Sequence, residues 1–108
     1  MKRIVIVEDD QLLATMYQTK FELAGYKVDV HHTAEGALEG LQGEVPDLVI
    51  LDVLLPSNNG LWLLKELHAR KISVPVIMLT TLAEADFAMP PKLRQPLGVV
   101  GYHVNAPT

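Results

Sequence analysis

The sequence predicts an α/β fold: one domain over 1–108 with a doubly wound parallel sheet of strand order 2-1-3-4-5. Three observations carry that prediction. Short strand-like apolar runs alternate with segments of helical periodicity from the first residues to Thr80. The runs Ile4–Val7, Leu48–Leu51 and Val76–Leu79 are apolar on both faces, as central strands covered by helices on each side must be. Each of those runs also ends in a polar residue, Glu8, Asp52 or Thr80. No internal repeat or low-complexity tract competes with the alternation, and the crossovers it requires are right-handed.

The first strand, Arg3 to Glu8, leads into the acids Glu8, Asp9 and Asp10. A helix follows, with Leu12, Leu13, Met16, Tyr17, Phe21 and Ala24 three to four apart and Gly25 as its stop. Asp10 reads equally well as the N-cap of that helix. Lys27 to His31 places Val28 and Val30 on one face, with a lysine that discourages further pairing, so it reads as an edge strand. Thr33 caps the next helix, whose core face is Ala37, Leu38 and Leu41, and Gly40 with Gly43 weakens its end. After the strand ending at Asp52, a loop from Pro56 to Gly60 precedes a helix. Leu61, Leu63, Leu64 and Leu67 face its core, and Lys65, Glu66 and Arg70 face water. Pro75 introduces the strand Val76 to Thr80.

At 108 residues, 49% hydrophobic and 20% charged, the chain has enough apolar material for a single core. No apolar run reaches the roughly 18 residues needed to cross a bilayer, and Met-Lys-Arg leads straight into a strand, so a cytoplasmic location without membrane contact is expected. The absence of cysteine excludes disulfides, thiolate catalysis and cysteine-bound zinc. A net charge of −4 without a basic cluster argues against direct nucleic-acid binding. The four histidines, His31, His32, His68 and His103, show no ligand spacing and receive no chemical role. Trp62 reads as a packing or surface aromatic.

In a sheet of this kind ligands bind at the carboxyl ends of the strands, where strand order reverses. Glu8 and Asp9 follow the first strand, Asp52 ends the third and Thr80 the fourth, so one cluster is expected. Two carboxylates about 4 Å apart at an effective dielectric near 20 repel by roughly 4 kcal/mol, so converging acids call for a cation or a raised pKa. Hard oxygen donors suit Mg2+. Such an ion keeps Asp52 ionised as a nucleophile, and Thr80 can hydrogen-bond a phosphoryl oxygen.

Three motifs carry a family resemblance: Ile4-Val5-Ile6-Val7-Glu8-Asp9-Asp10, Leu51-Asp52-Val53-Leu54-Leu55-Pro56 with Gly60, and Val76-Ile77-Met78-Leu79-Thr80. In order and spacing the chain resembles the receiver domain of two-component response regulators, the CheY-like superfamily, most clearly over 2–81. The resemblance implies that Asp52 is the phosphoacceptor, that Asp9, Asp52 and the Leu54 carbonyl bind Mg2+ directly, and that Glu8 does so through water. It makes Thr80 the switch hydroxyl and Tyr102 the aromatic that changes rotamer with it. A sensor histidine kinase is the implied donor, and a downstream protein or effector domain reads the result. Any catalysis is then self-phosphorylation and dephosphorylation at Asp52 rather than conventional turnover.

The last quarter departs from that pattern. Met89-Pro90-Pro91 and Pro96 break any helix beginning near Leu82. Aligning Gly98 and Tyr102 with the family's glycine and aromatic puts Asn105 and Ala106 where receivers carry lysine and proline. Asparagine can donate a hydrogen bond but supplies no charge, and nothing local places Lys92 in the site. The sequence stops at Thr108, where a receiver begins its fifth helix, so that last helix is expected to be missing. The apolar surface this leaves points to a partner, self-association as a homodimer or domain exchange, and a truncated or frame-altered end is an equal alternative. A phosphorylation-independent, receiver-like protein-binding module therefore stands as the alternative to a phosphoacceptor. A small-molecule phosphohydrolase is disfavoured, because no second acid lies two residues after Asp52.

Overall fold

Five parallel strands form one sheet in the order β2-β1-β3-β4-β5, as the sequence predicts. The computed structural model describes residues 2–52, 55, 60–81 and 99–105. Along the chain these form β1 (Arg3–Val7), α1 (Gln11–Leu23), β2 (Lys27–His31), α2 (Ala34–Gly43), β3 (Leu48–Asp52), α3 (Gly60–Ala69), β4 (Val76–Thr81) and β5 (Val99–Asn105). The expected irregular segment around Pro90, Pro91 and Pro96, Lys92 within it, and the Leu54 carbonyl all lie outside the described residues.

Strand alternation divides the core into two layers. Val5, Val7, Val49, Leu51, Val76 and Met78 face α2 and α3, where they meet Leu38 and Leu41 from one helix and Leu63, Leu64 and Leu67 from the other. Burying each such leucine contributes on the order of 1.5 to 3 kcal/mol. Ile4, Ile6, Val28, Ile50 and Leu79 point the other way and pack with Tyr17 and Phe21 of α1. Helices therefore cover the two faces of the sheet, which makes it doubly wound. Trp62 is half-buried against the first layer, a packing aromatic.

Local chemistry fixes the helix ends. The Asp10 carboxylate accepts from the Leu13 N–H at 3.1 Å and caps α1, and Thr33 Oγ1 accepts from the Gly36 N–H at 3.0 Å and caps α2. Gly25 adopts φ +98° after α1, with its N–H on the Glu22 carbonyl and the Tyr26 N–H on the Phe21 carbonyl. That pair of bonds is a Schellman closure, and Gly25 is the stop that the sequence suggests. Among the described residues, no helix is long and apolar enough to cross a membrane.

Two sequence expectations need correction. The first strand ends at Val7, not Glu8, because β2 stops pairing with it at His31. The apolar set assigned to α1 holds only in part: Tyr17 and Phe21 pack on the sheet as expected and Ala14 is the buried residue, whereas Leu12 and Met16 are 73% and 60% exposed. With 3.6 residues per turn, the sheet-facing stripe through Ala14, Tyr17 and Phe21 leaves Leu12, Met16 and Leu23 on the opposite side of the helix. Leucine and methionine entered the periodic count by hydropathy, while the small Ala14, which lets the helix approach the sheet, did not.

Candidate metal centre

The carboxyl ends of β1 and β3 are neighbours, because Val7 pairs with Leu51. The next residues, Glu8 and Asp52, therefore emerge side by side at the edge where the strand order reverses, and Asp9 follows on the turn into α1. One ligand oxygen from each of Glu8, Asp9 and Asp52 lies within 4.8 Å of the others. Glu8 is only 2% exposed, although carboxylates are rarely buried without a partner. Its Oε1 accepts from the Asp10 N–H at 3.1 Å. Its Oε2 is buried and, among the described residues, has no hydrogen-bond donor.

That environment shifts Glu8 strongly. Burial, opposed by the Asp10 N–H and reinforced by the charge of Asp52, pushes its carboxyl up from 4.5 to about 8. Contacts with Asp52 and Asp9 raise it further, since acids can hydrogen-bond to one another only when one carries a proton. Tyr17, reaching the same region from α1, is also raised, first by burial and then by the charges of Glu8 and Asp52. An orphaned buried oxygen within a cluster of hard donors fits a divalent cation such as Mg2+, which would take the place of the proton.

Strand register locates the remaining candidates. Asp52 pairs with Leu79, so Thr80 is the next residue on the adjacent strand at the same sheet edge. On β5, Tyr102 pairs with Met78 and Asn105 with Thr81. Thr80 and Asn105 thus come to the edge that carries the acids, and Tyr102 lies deeper in the sheet.

Gly60 opens α3 against the strand end. A β-carbon there would fall 2.6 Å from the Asp52 carbonyl oxygen and 3.1 Å from Leu51 Cγ, so the helix can approach Asp52 this closely only without a side chain. Gly60→Ala is therefore expected to lower stability by about 1 to 3 kcal/mol, measured by urea unfolding. An unchanged midpoint would show that the backbone around Asp52 yields freely.

Two contacts at the site were not legible in the motifs. The Glu8 N–H donates to the His31 carbonyl at 3.0 Å. His32 Nδ1 lies 3.0 Å from the Glu8 carbonyl oxygen. Parallel strands bring their carboxyl ends together, which sets His31 and His32 beside Glu8, but contacts with main-chain atoms create no ligand spacing among the histidines.

Comparison with known proteins agrees with this geometry. The chain is 37% identical over 83 residues to the alkaline phosphatase synthesis transcriptional regulatory protein PhoP of Bacillus subtilis, a match covering 77% of this chain and 35% of PhoP. It spans about a third of that relative's length. The N-terminal domain of a response regulator receiver protein from Methanoculleus marisnigri superposes with a TM-score of 0.83 at 25% identity, covering 100% of this chain and 86% of that one. Response regulator protein TrrA from Thermotoga maritima, solved in complex with Mg2+-BeF, gives a TM-score of 0.82 at 27% identity over 97% of this chain and 87% of its own. The response regulator receiver domain family itself matches residues 4–92. Since that match takes in both acidic strand ends and more than half of the sequence, this protein belongs to the response regulator receiver domain family.

Proposed function

We propose that the chain, as a single receiver domain over 1–108, accepts a phosphoryl group on Asp52 from a sensor histidine kinase. The observation that carries this is the convergence of the Glu8, Asp9 and Asp52 oxygens within 4.8 Å beside the orphaned Glu8 Oε2. Asp9, Asp52 and the Leu54 carbonyl are the direct ligands proposed for Mg2+, and Glu8 acts through water. The bound ion would neutralise charge building on the phosphoryl oxygens.

In the transfer an Asp52 carboxylate oxygen attacks phosphorus. The new P–O bond forms as the P–N bond to the kinase histidine breaks, and the electron pair of that bond returns to the imidazole, which holds the proton. Thr80 donates its hydroxyl to a phosphoryl oxygen and moves with it, and Tyr102 follows as the aromatic partner. Water then attacks phosphorus, the P–O bond to Asp52 breaks, and inorganic phosphate leaves, restoring the carboxylate. A downstream protein or effector domain reads the altered surface, and self-association through exposed apolar surface belongs to the same proposal, as does a cytoplasmic location. The net charge of −4 disfavours direct nucleic-acid contact by this domain.

Intact mass after incubation with acetyl phosphate and Mg2+ tests the proposal. A phosphoryl-sized increase is expected for the wild-type chain and is lost in Asp52→Asn and in EDTA. No increase in a folded sample would favour the second proposal, a receiver-like binding module. That proposal draws support from an uncharged residue, Asn105, at the strand end paired with Thr81.

A further inference from the structure

We infer that His32 is a positioning residue for the metal-binding acids, holding the Glu8 main chain so that its carboxylate faces Asp9 and Asp52. This rests on the proposed Mg2+ site. The pairing of β1 with β2 ends at Val7 and His31, and the Glu8 N–H adds one more bond to the His31 carbonyl at 3.0 Å. In a parallel ladder the next bond would run from the Thr33 N–H to the Glu8 carbonyl, but there the chain turns away, with Thr33 capping α2. The His32 side chain occupies that place, with Nδ1 3.0 Å from the Glu8 carbonyl oxygen. A carbonyl oxygen can only accept, so Nδ1 is the nitrogen that carries hydrogen.

Glu8 is thereby held at three points: its N–H by His31, its carbonyl by His32, and its Oε1 by the Asp10 N–H. The orphaned Oε2 remains for the cation. The end of β2 is itself seated on α2, since a β-carbon at Gly40 would lie 2.9 Å from Cε1 and Nε2 of His31. Groups that orient a ligand without touching the metal commonly change affinity by 10- to 100-fold.

The test compares the wild-type chain with His32→Ala and His32→Asn by calorimetric titration with Mg2+. It adds the imidazole nitrogen spectrum and thermal unfolding of each metal-free protein. His32→Ala is expected to bind Mg2+ about tenfold more weakly. His32→Asn, whose amide N–H can reach the same carbonyl, is expected to recover to within about threefold. In the wild-type spectrum His32 should carry its hydrogen on Nδ1. Three results each overturn the inference: wild-type affinity in His32→Ala, equal weakness in His32→Asn and His32→Ala with matching unfolding midpoints, or hydrogen on Nε2 alone. A wild-type chain that binds no Mg2+ overturns the metal site itself and this inference with it, a pattern distinct from the other three.

Discussion

In EDTA the conformational stability of this domain is expected to fall by about 3 to 5 kcal/mol as pH rises from 4.5 to 8, and Glu8→Gln is expected to remove that loss. The sign follows from proton counts. In the unfolded chain Glu8 ionises near 4.5, whereas in the folded protein burial and the Asp52 charge hold it protonated to about 8. Between those values the folded state binds one more proton, so stability declines as pH increases; above 8 the slope vanishes and the penalty remains. Glu8→Gln keeps the shape of the side chain and removes the titration, so at pH 8 the metal-free variant should be the more stable protein. Mg2+ binding should show the reverse dependence. Displacing the Glu8 proton makes affinity rise by up to tenfold per pH unit until about 8 and then level off, and the variant should bind weakly with little pH dependence. Urea unfolding at several pH values, with and without Mg2+, reads both effects. Equal wild-type and Glu8→Gln profiles in EDTA would mean that water reaches Glu8 and the acids do not compete for charge.

The same residue shows how far sequence reasoning reached. Charge made Glu8 visible: an apolar run ending in acids, beside another ending in Asp52, implied a site at the carboxyl edge, and register places them there. Apolar strands and turn residues such as Gly25 were equally legible, because burial on both faces and positive φ each restrict residue choice to a few types. The orientation of α1 was legible only in part, since Tyr17 and Phe21 do mark its sheet-facing side. Its exposed Leu12 and Met16 outweigh Ala14 in any hydropathy count, although only the alanine is buried. His32 was not legible, since its contact is with a main-chain carbonyl, and a main-chain partner leaves no mark on the partner's residue type. Gly60 lies between these cases. Its place after the Asp52 motif was readable from spacing, but the 2.6 Å approach to the Asp52 carbonyl that excludes a side chain belongs to the packing of α3.

Asn105→Lys is expected to raise the rate of phosphorylation by acetyl phosphate at least tenfold. Asn105 pairs with Thr81 at the end of β5, one strand beyond the β4 end that adjoins Asp52. A lysine at that edge could reach a phosphoryl group on Asp52. A hydrogen bond to a charged group contributes about 1.5 to 3 kcal/mol, equivalent to roughly 10- to 150-fold when it forms with charge that develops during transfer. The effect should appear in kcat more than in KM, because the added cation meets the fullest negative charge on the transferring group. Asn105→Gln serves as the control, since it lengthens the side chain without adding charge and should leave the rate near that of wild type. A lysine variant no faster than the glutamine variant would show that position 105 does not face the phosphoryl group, and the alignment of Tyr102 and Asn105 with the family's aromatic and lysine would then be out of register. A wild-type chain that resists phosphorylation while Asn105→Lys accepts it would identify the natural protein as a binding module that keeps the acids of a receiver but lacks the cation needed to use them.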